Sequence, residues 1–220
     1  MQFVPKGSVR PLKMNRRSLT GYVVLRSGQK AGYESSLERD LLMTLDFDPR
    51  VVQIQEQPYT LRYWFDGKER PYTPDVLATF EEDGRAWTVV YEVKYREDLL
   101  ENWTLLRPRF CAAMRDCRQK GWRFKIVTEK ILRTPQFSNV KFLRRHHGQP
   151  ASERVQASLL ALMEQQQTST PQGLLNALGL EGDPRSMALH DLWHLVAHRR
   201  IAASLDAPLT MLTPLKAKPS

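Results

Sequence analysis

Cysteine is nearly absent. Cys111 and Cys117 are the only two in 220 residues. Six positions apart on a helix, they fall on different faces and are badly placed to bridge. A disulfide scaffold is therefore excluded, and with no histidine nearby the pair does not spell a zinc site. No run of eighteen apolar residues occurs, so no membrane-spanning helix is expected. No apolar stretch follows the basic N-terminal residues, so no secretory leader is expected either. The expectation is a reduced, cytoplasmic protein with no membrane partner. Internal repeats and long low-complexity segments are missing. Acidic residues are absent from the first twenty positions, MQFVPKGSVRPLKMNRRSLT, which carry Lys6, Arg10, Lys13, Arg16 and Arg17. Residues 1–20 therefore read as a basic arm that orders on a partner.

What is present is enough for a core: 41% of residues are hydrophobic and 26% are charged. That composition suits one large domain or two small ones. The formal net charge is +9 and the pI about 9.7. This balance points to a polyanionic partner, nucleic acid ahead of an anionic membrane surface.

GYVVLRS, 21–27, reads as a short strand, and Tyr33–Leu45 as a helix capped by Ser35 or Ser36, with Leu37, Leu41, Leu42 and Leu45 as its apolar stripe. From Val51 the period changes to two. VVQIQEQ, YTLRYWF, YTPDVLATF and AWTVVYEVKY are β-rich, with DGKER and EEDGR as hairpin turns between the later runs. A long helix follows from about Leu99 to Lys120, adjusted near Pro108; then come a strand at WRFKIVTE, a short helical link, and KFLRRHH. GQP at 148–150 marks the expected boundary, giving domains at 21–149 and 150–220. Beyond it, helices at Ser152–Gln166, Pro171–Leu178 and Pro184–Arg199 precede one or two short strands within IAASLDAPLTMLTPL. Three helices followed by a small hairpin is the order of a winged-helix domain.

VVYEVKY, 89–95, poses the chemical question. Val89, Tyr91, Val93 and Tyr95 share one strand face, and Val90, Glu92 and Lys94 the other. A strand this apolar is buried on both sides, where lone charges are costly. Sixteen residues separate Asp75 from Glu92, which fits a strand, the EEDGR turn and a return strand, so the two carboxylates lie close. Held together they repel unless a cation sits between them. Mg²⁺ commonly uses one or two carboxylates with water and phosphate oxygens. Lys94 then points into the same place, where its ammonium can orient water and stabilise charge on a phosphoryl oxygen.

Pro74-Asp75 followed by Glu92-Val93-Lys94 resembles the PD-(D/E)XK nuclease fold. ESSLERDLL at 34–42, VVQIQEQP at 51–58, YTPD at 72–75 and YEVK at 91–94, in that order, resemble the TnsA family, the endonuclease subunit of a heteromeric transposase. LLNALGL and AASLDAPLT resemble the family's C-terminal tail, so the likeness spans residues 20–215. It implies an α/β, restriction-endonuclease-like mixed sheet flanked by helices, carrying the small winged-helix-like C-terminal domain. It implies a Mg²⁺-dependent DNA endonuclease, with Mn²⁺ able to substitute, acting on double-stranded DNA at transposon ends. The implied partners are a recombinase-like (TnsB-like) transposase that cuts the other strand and an ATP-dependent (TnsC-like) regulator. The implied catalytic residues are Glu38, Asp75, Glu92 and Lys94. Asp75, Glu92 and the Val93 carbonyl are expected to hold one metal, and Glu38 a second metal or its water. Some family members carry an amide where Glu92 stands. Two rival readings remain: a stand-alone restriction or repair nuclease of the same fold, and a non-catalytic DNA-binding adaptor.

Plainer roles exist for each residue. Glu38 suits a first helical turn, Asp75 a turn after proline, and Glu92 with Lys94 a solvated pair. HDLWHLVAH sets His190, His194 and His198 four apart and mimics a zinc-protease motif, but the shorter acid and the lack of a further ligand argue against a metal. Arg144 and Arg145 beside His146 and His147 are expected to face phosphate. Arg199 and Arg200 either complement a helix dipole or contact phosphate, and Arg16 and Arg17 join them as candidate DNA contacts. The five tryptophans, Trp64, Trp87, Trp103, Trp122 and Trp193, are expected in the core.

Overall fold

Turn chemistry organises the first half of the chain in the computed structural model, which describes residues 19–218. The expected basic arm, with Arg16 and Arg17, lies outside the described residues save for its last two positions. β1 (Gly21–Val24) and β2 (Lys30–Tyr33) form an antiparallel pair. α1 (Ser36–Phe47) starts at Ser35, whose hydroxyl accepts from the Glu38 amide. The expected stripe of Leu37, Leu41, Leu42 and Leu45 is buried. β3 (Val51–Glu56), β4 (Leu61–Phe65), β5 (Lys68–Tyr72), β6 (Val76–Glu82) and β7 (Arg85–Val93) follow. α2 (Arg96–Gln119) crosses over to β8 (Arg123–Val127), and α3 (Glu129–Leu132) ends the unit at Arg133. The main sheet has the order β3-β6-β7-β8, antiparallel except for the parallel β7–β8 pair. A parallel pair needs a long crossover, and α2 supplies it. This mixed sheet flanked by helices is the expected restriction-endonuclease-like class.

Asp66-Gly67 and Asp83-Gly84 carry positive φ at both positions, 54°/66° and 50°/73°. Such pairs make the tight hairpin turns whose twist suits the flanking strands. DGKER is thus mostly strand: only Asp66-Gly67 turns. YTPDVLATF is not one strand but two, since β5 ends at Tyr72 and β6 begins at Val76; Pro74 between them has no N–H to give a ladder. β4 and β5 form a separate two-stranded ribbon. Helix α2 passes through Pro108, and its non-helical residue is Asn102 (φ −111°, ψ 15°). Two tryptophans depart from the expected core: Trp64 is 73% exposed and Trp103 46%. Trp64 occupies the outer face of the ribbon, whose other face turns Leu61, Tyr63 and Tyr72 toward Phe110 and Ala113 of α2. Trp87 stacks on Phe80 at 5.3 Å, and Trp193 is buried.

The second unit begins at Thr134, not after GQP. α4 (Pro135–His147) is followed by α5 (Glu153–Gln166), β9 (Thr168–Ser169), α6 (Pro171–Ala177), α7 (Gly182–Ala197), β10 (Ile201–Ala203) and β11 (Leu215–Ala217). KFLRRHH therefore opens this unit rather than closing the first. Long-range packing is the reason: Phe142 of α4 meets Trp193 of α7 edge to face at 5.2 Å. Asn139, also of α4, donates to the Leu205 and Ala207 carbonyls at 2.9 and 2.7 Å and accepts from the Leu209 amide at 3.0 Å. Threonine caps followed by proline start α4 and α6. β9 joins β10 and β11 in a three-stranded antiparallel sheet of order β10-β11-β9, one strand more than expected. Asn139→Ala strands three backbone groups at once. It should destabilise this unit by at least about 1–3 kcal/mol, read as a lowered urea midpoint at unchanged slope.

Candidate active site

The β6–β7 hairpin does what its spacing requires. Its ladder runs from Glu82↔Arg85 to Val76↔Tyr91, so Asp75 and Glu92 are the next step of the same register. The Asp75 amide donates to the Tyr91 carbonyl at 3.2 Å, and the Val93 amide donates to Asp75 Oδ2 at 2.7 Å. The second bond fixes the carboxylate against the backbone of the facing strand. Asp75 is no free turn residue.

Glu92 is 1% exposed. Burial, then the charge of Asp75, pushes its carboxyl up to about 7; Lys94, Tyr72 and Arg109 pull the other way. Lys94 Nζ lies 3.0 Å from Glu92 Oε1 and 3.7 Å from Asp75 Oδ2, and donates to the Val93 carbonyl at 2.7 Å. Burial works against the lysine's charge, but Asp75 and Glu92 overcome it and hold the ammonium above the ordinary lysine range. The Lys94 side chain is 25% exposed and that of Asp75 16%, whereas Glu92 is closed off from solvent. The pair is not a solvated one.

Glu38 both caps and joins the electrostatics. Its Oε1 accepts from Ser35 Oγ and its Oε2 from the Glu34 amide, each at 2.9 Å, a variant of the capping box. Burial, then Asp75, lifts its carboxyl above the usual glutamate range. The first turn of α1 is tied to the chain just beyond β7: Ser36 Oγ and Tyr95 Oη are 2.9 Å apart. Arg133 bridges both, with Nη2 at 3.1 and 3.2 Å, and its Nε donates to buried Asp40.

Two residues at this site escaped the sequence reading. Tyr72 donates its hydroxyl to Glu92 Oε2. Arg109 of α2 places Nη2 3.3 Å from Glu92 Oε1. Tyr72 precedes TPD directly, which was the available hint; Arg109 gave none, because its partner lies 17 residues away on another element.

The remaining candidates gather elsewhere. In the second unit, Arg145 is exposed and Arg144 half-buried, while His146 and His147 pack into a ring cluster with His190, His194 and His198. His146 and His190 bring their Nδ1 atoms to 2.9 Å, and Gln156 reaches His194 Nδ1 at 2.8 Å. These histidines thus face their own unit's helices. Arg199 and Arg200 line a cavity of about 750 Å³ with His198, Lys218, Glu164 and Gln167. Both cysteines are free, and among the described residues no helix is long and apolar enough to cross a membrane.

Asp75 Oδ2, Glu92 Oε1 and the Val93 carbonyl all lie within 3.7 Å of one cationic centre, the Lys94 nitrogen. Three converging hard oxygens suit a hard divalent cation. Among the described residues no group of three or more His, Cys, Asp or Glu side chains gathers closely enough to hold a metal. Two carboxylates and one carbonyl are a small oxygen donor set, of the kind that Mg²⁺ completes with water and phosphate oxygens.

Comparison with known families matches both parts of the chain. Residues 48–129 match the family model for the TnsA-like endonuclease N terminal, and residues 132–205 that for the TnsA endonuclease C terminal. The second match begins at residue 132, just before the structural division at Arg133–Thr134. Asp75, Glu92, Lys94, Tyr72 and Arg109 fall inside the first match, and Glu38 precedes it. A search of curated proteins returns no match. The two adjoining family matches, which together run from residue 48 to 205 and take in the acid–acid–lysine cluster at the hairpin's open end, lead to one assignment: the chain belongs to the TnsA family of transposon endonucleases.

Proposed function

We propose that this chain is the DNA-cleaving subunit of a transposition complex, hydrolysing one strand at transposon ends in a Mg²⁺-dependent reaction that Mn²⁺ also supports. The observation that carries the reading is the convergence of Asp75, Glu92 and the Val93 carbonyl on the Lys94 ammonium. Asp75, Glu92 and the Val93 carbonyl would hold the cation, with Glu38 serving a second cation or its water. When bound, the cation supplies Lewis-acid polarisation of the phosphodiester and acidification of water. The chain's own residues do the rest. Asp75 is pre-oriented by the Val93 amide, so its carboxylate needs no reorganisation. Lys94 orients the attacking water and offers its ammonium to the phosphoryl oxygen where charge develops. Water's oxygen bonds to phosphorus in line as the P–O3′ bond breaks, leaving a 3′ hydroxyl and a 5′ phosphate.

The family's place in a heteromeric transposase supports two protein partners, a TnsB-like transposase cutting the other strand and a TnsC-like ATP-dependent regulator. The second unit runs helix, strand, helix, helix and hairpin from α5 to β11, an order compatible with a winged helix docking on DNA or on those partners. Arg199, Arg200 and Lys218 at its basic cavity would contact phosphate, as would Arg144 and Arg145, and Arg16 and Arg17 from the basic arm.

Calorimetric titration of Mn²⁺ into wild type and Asp75→Ala tests the site directly. Binding by wild type that is lost in the folded variant is the expected result. The variant should also leave transposon ends uncut in a complex reconstituted with partners. Unchanged binding and cutting in Asp75→Ala would move the non-catalytic adaptor ahead. Cleavage of a defined site by the isolated chain would instead indicate a stand-alone nuclease.

A further inference from the structure

Both oxygens of Glu92 are gripped from outside its own strand. Tyr72, the last residue of β5, donates to Oε2. Arg109, from α2, donates to Oε1, the same oxygen that faces Lys94. The Arg109 guanidinium carbon sits 5.4 Å from the Tyr72 ring centroid and 5.2 Å from that of Phe110, so the two residues gripping Glu92 also support each other. Tyr72 packs edge-on to Phe110 at 6.5 Å. Arg109 Nε, by contrast, is buried without a hydrogen-bond partner among the described residues. A guanidinium placed to satisfy itself would not leave that donor bare. Its position follows Glu92 and the two rings instead.

We propose that Tyr72 and Arg109 are positioning residues of the nuclease site, holding Glu92 so that Oε1 faces Lys94 and the ammonium stays between Asp75 and the Val93 carbonyl. The proposal rests on the nuclease reading above. A carboxylate with no protein donor on Oε2 would be free to rotate and release the lysine. Outer partners that fix a ligand's orientation typically contribute 10- to 100-fold to metal affinity or activity. The two residues come from different elements, so the grip also joins the ribbon and the crossover helix to the catalytic strand.

Tyr72→Phe removes only the hydroxyl and keeps the ring; Arg109→Met removes the charge, and Arg109→Lys restores charge without the fork. Each is checked for folding by thermal melting. Two readouts follow: Mn²⁺ affinity by calorimetry without DNA, and single-turnover cleavage by the reconstituted complex at saturating DNA. Tyr72→Phe should lose about 10- to 100-fold in Mn²⁺ affinity or in cleavage rate, with the KM for DNA unchanged. Arg109→Lys should recover part of what Arg109→Met loses. If Arg109→Met fails to fold, Tyr72→Phe alone decides. Wild-type affinity and rate in Tyr72→Phe would overturn the proposal and leave the pair a packing feature. A raised KM with an unchanged saturated rate in Arg109→Met would overturn it in favour of direct DNA contact. If wild type itself binds Mn²⁺ but never cleaves, the nuclease reading fails, and the affinity comparison still judges the positioning role.

Discussion

Lys94→Met should fold, assemble with its partners, and cleave transposon ends about 10²- to 10³-fold more slowly than wild type, the usual loss when one charge-stabilising donor is removed from a site. Methionine keeps the unbranched stem and removes only the cation. What remains is a site without the centre on which three oxygens converge. Lys94 is also one of the groups opposing burial at Glu92, so without it that carboxyl rises further and is less available as an anion. Arg109 still touches Glu92 and limits the structural damage. Lys94→Arg should not restore the rate, since a planar fork cannot reproduce a point charge 2.7 Å from the Val93 carbonyl and 3.0 Å from Glu92. Single-turnover kinetics at saturating DNA reads the effect apart from binding. A Lys94→Met complex cutting at the wild-type rate would remove the lysine from the mechanism.

Acidification should weaken the second unit. All five histidines of the chain meet in the second unit. His147 stacks on His198 at 4.1 Å, and His198 on His194 at 4.0 Å. Burial lowers the His146 pKa, helped by the positive fields of His190, Arg145 and His194. Burial lowers the His194 pKa too, helped by His198 and His190 and opposed by Asp191. Gln156 from α5 faces His194 and the Pro150 carbonyl faces His190, both without charge. A histidine with a depressed folded pKa binds its proton more readily when unfolded. Its contribution is therefore intact above 6.5 and is lost as pH falls through the lower, folded value. Glu92 has the opposite sign: its folded pKa of about 7 exceeds 4.5, so its contribution is intact below 4.5 and is lost as pH rises through 7. Scanning calorimetry between pH 7.5 and 5 should show the transition of the second unit moving down, and His194→Gln should flatten that movement. A second-unit transition that holds or rises at pH 5 would contradict the histidine account.

Local chemistry was legible in the sequence; partners distant in the chain were not. The EEDGR turn and period-two flanks were enough to bring Asp75 beside Glu92, because a tight hairpin fixes its own register. Ser35 as a cap and the leucine stripe of α1 are equally local. GQP looked like a boundary because it is a good turn, yet α4 before it packs on α7, far ahead in sequence, and no periodicity reports that. The exposure of Trp64 was hidden for a related reason. A strand in a two-stranded ribbon covers only one face, and nothing in YTLRYWF says that the ribbon stands apart from the main sheet. Arg109 belongs to the same class, a helical residue whose partner is set by tertiary packing.

The division at Arg133–Thr134 has a consequence for inheritance. Every residue assigned here to the nuclease site lies between Glu38 and Arg109, and the last tie to α1 is made by Arg133 itself. A crossover between two related genes at that codon would carry the whole chemical centre with its supports intact, and would exchange the second unit as one piece.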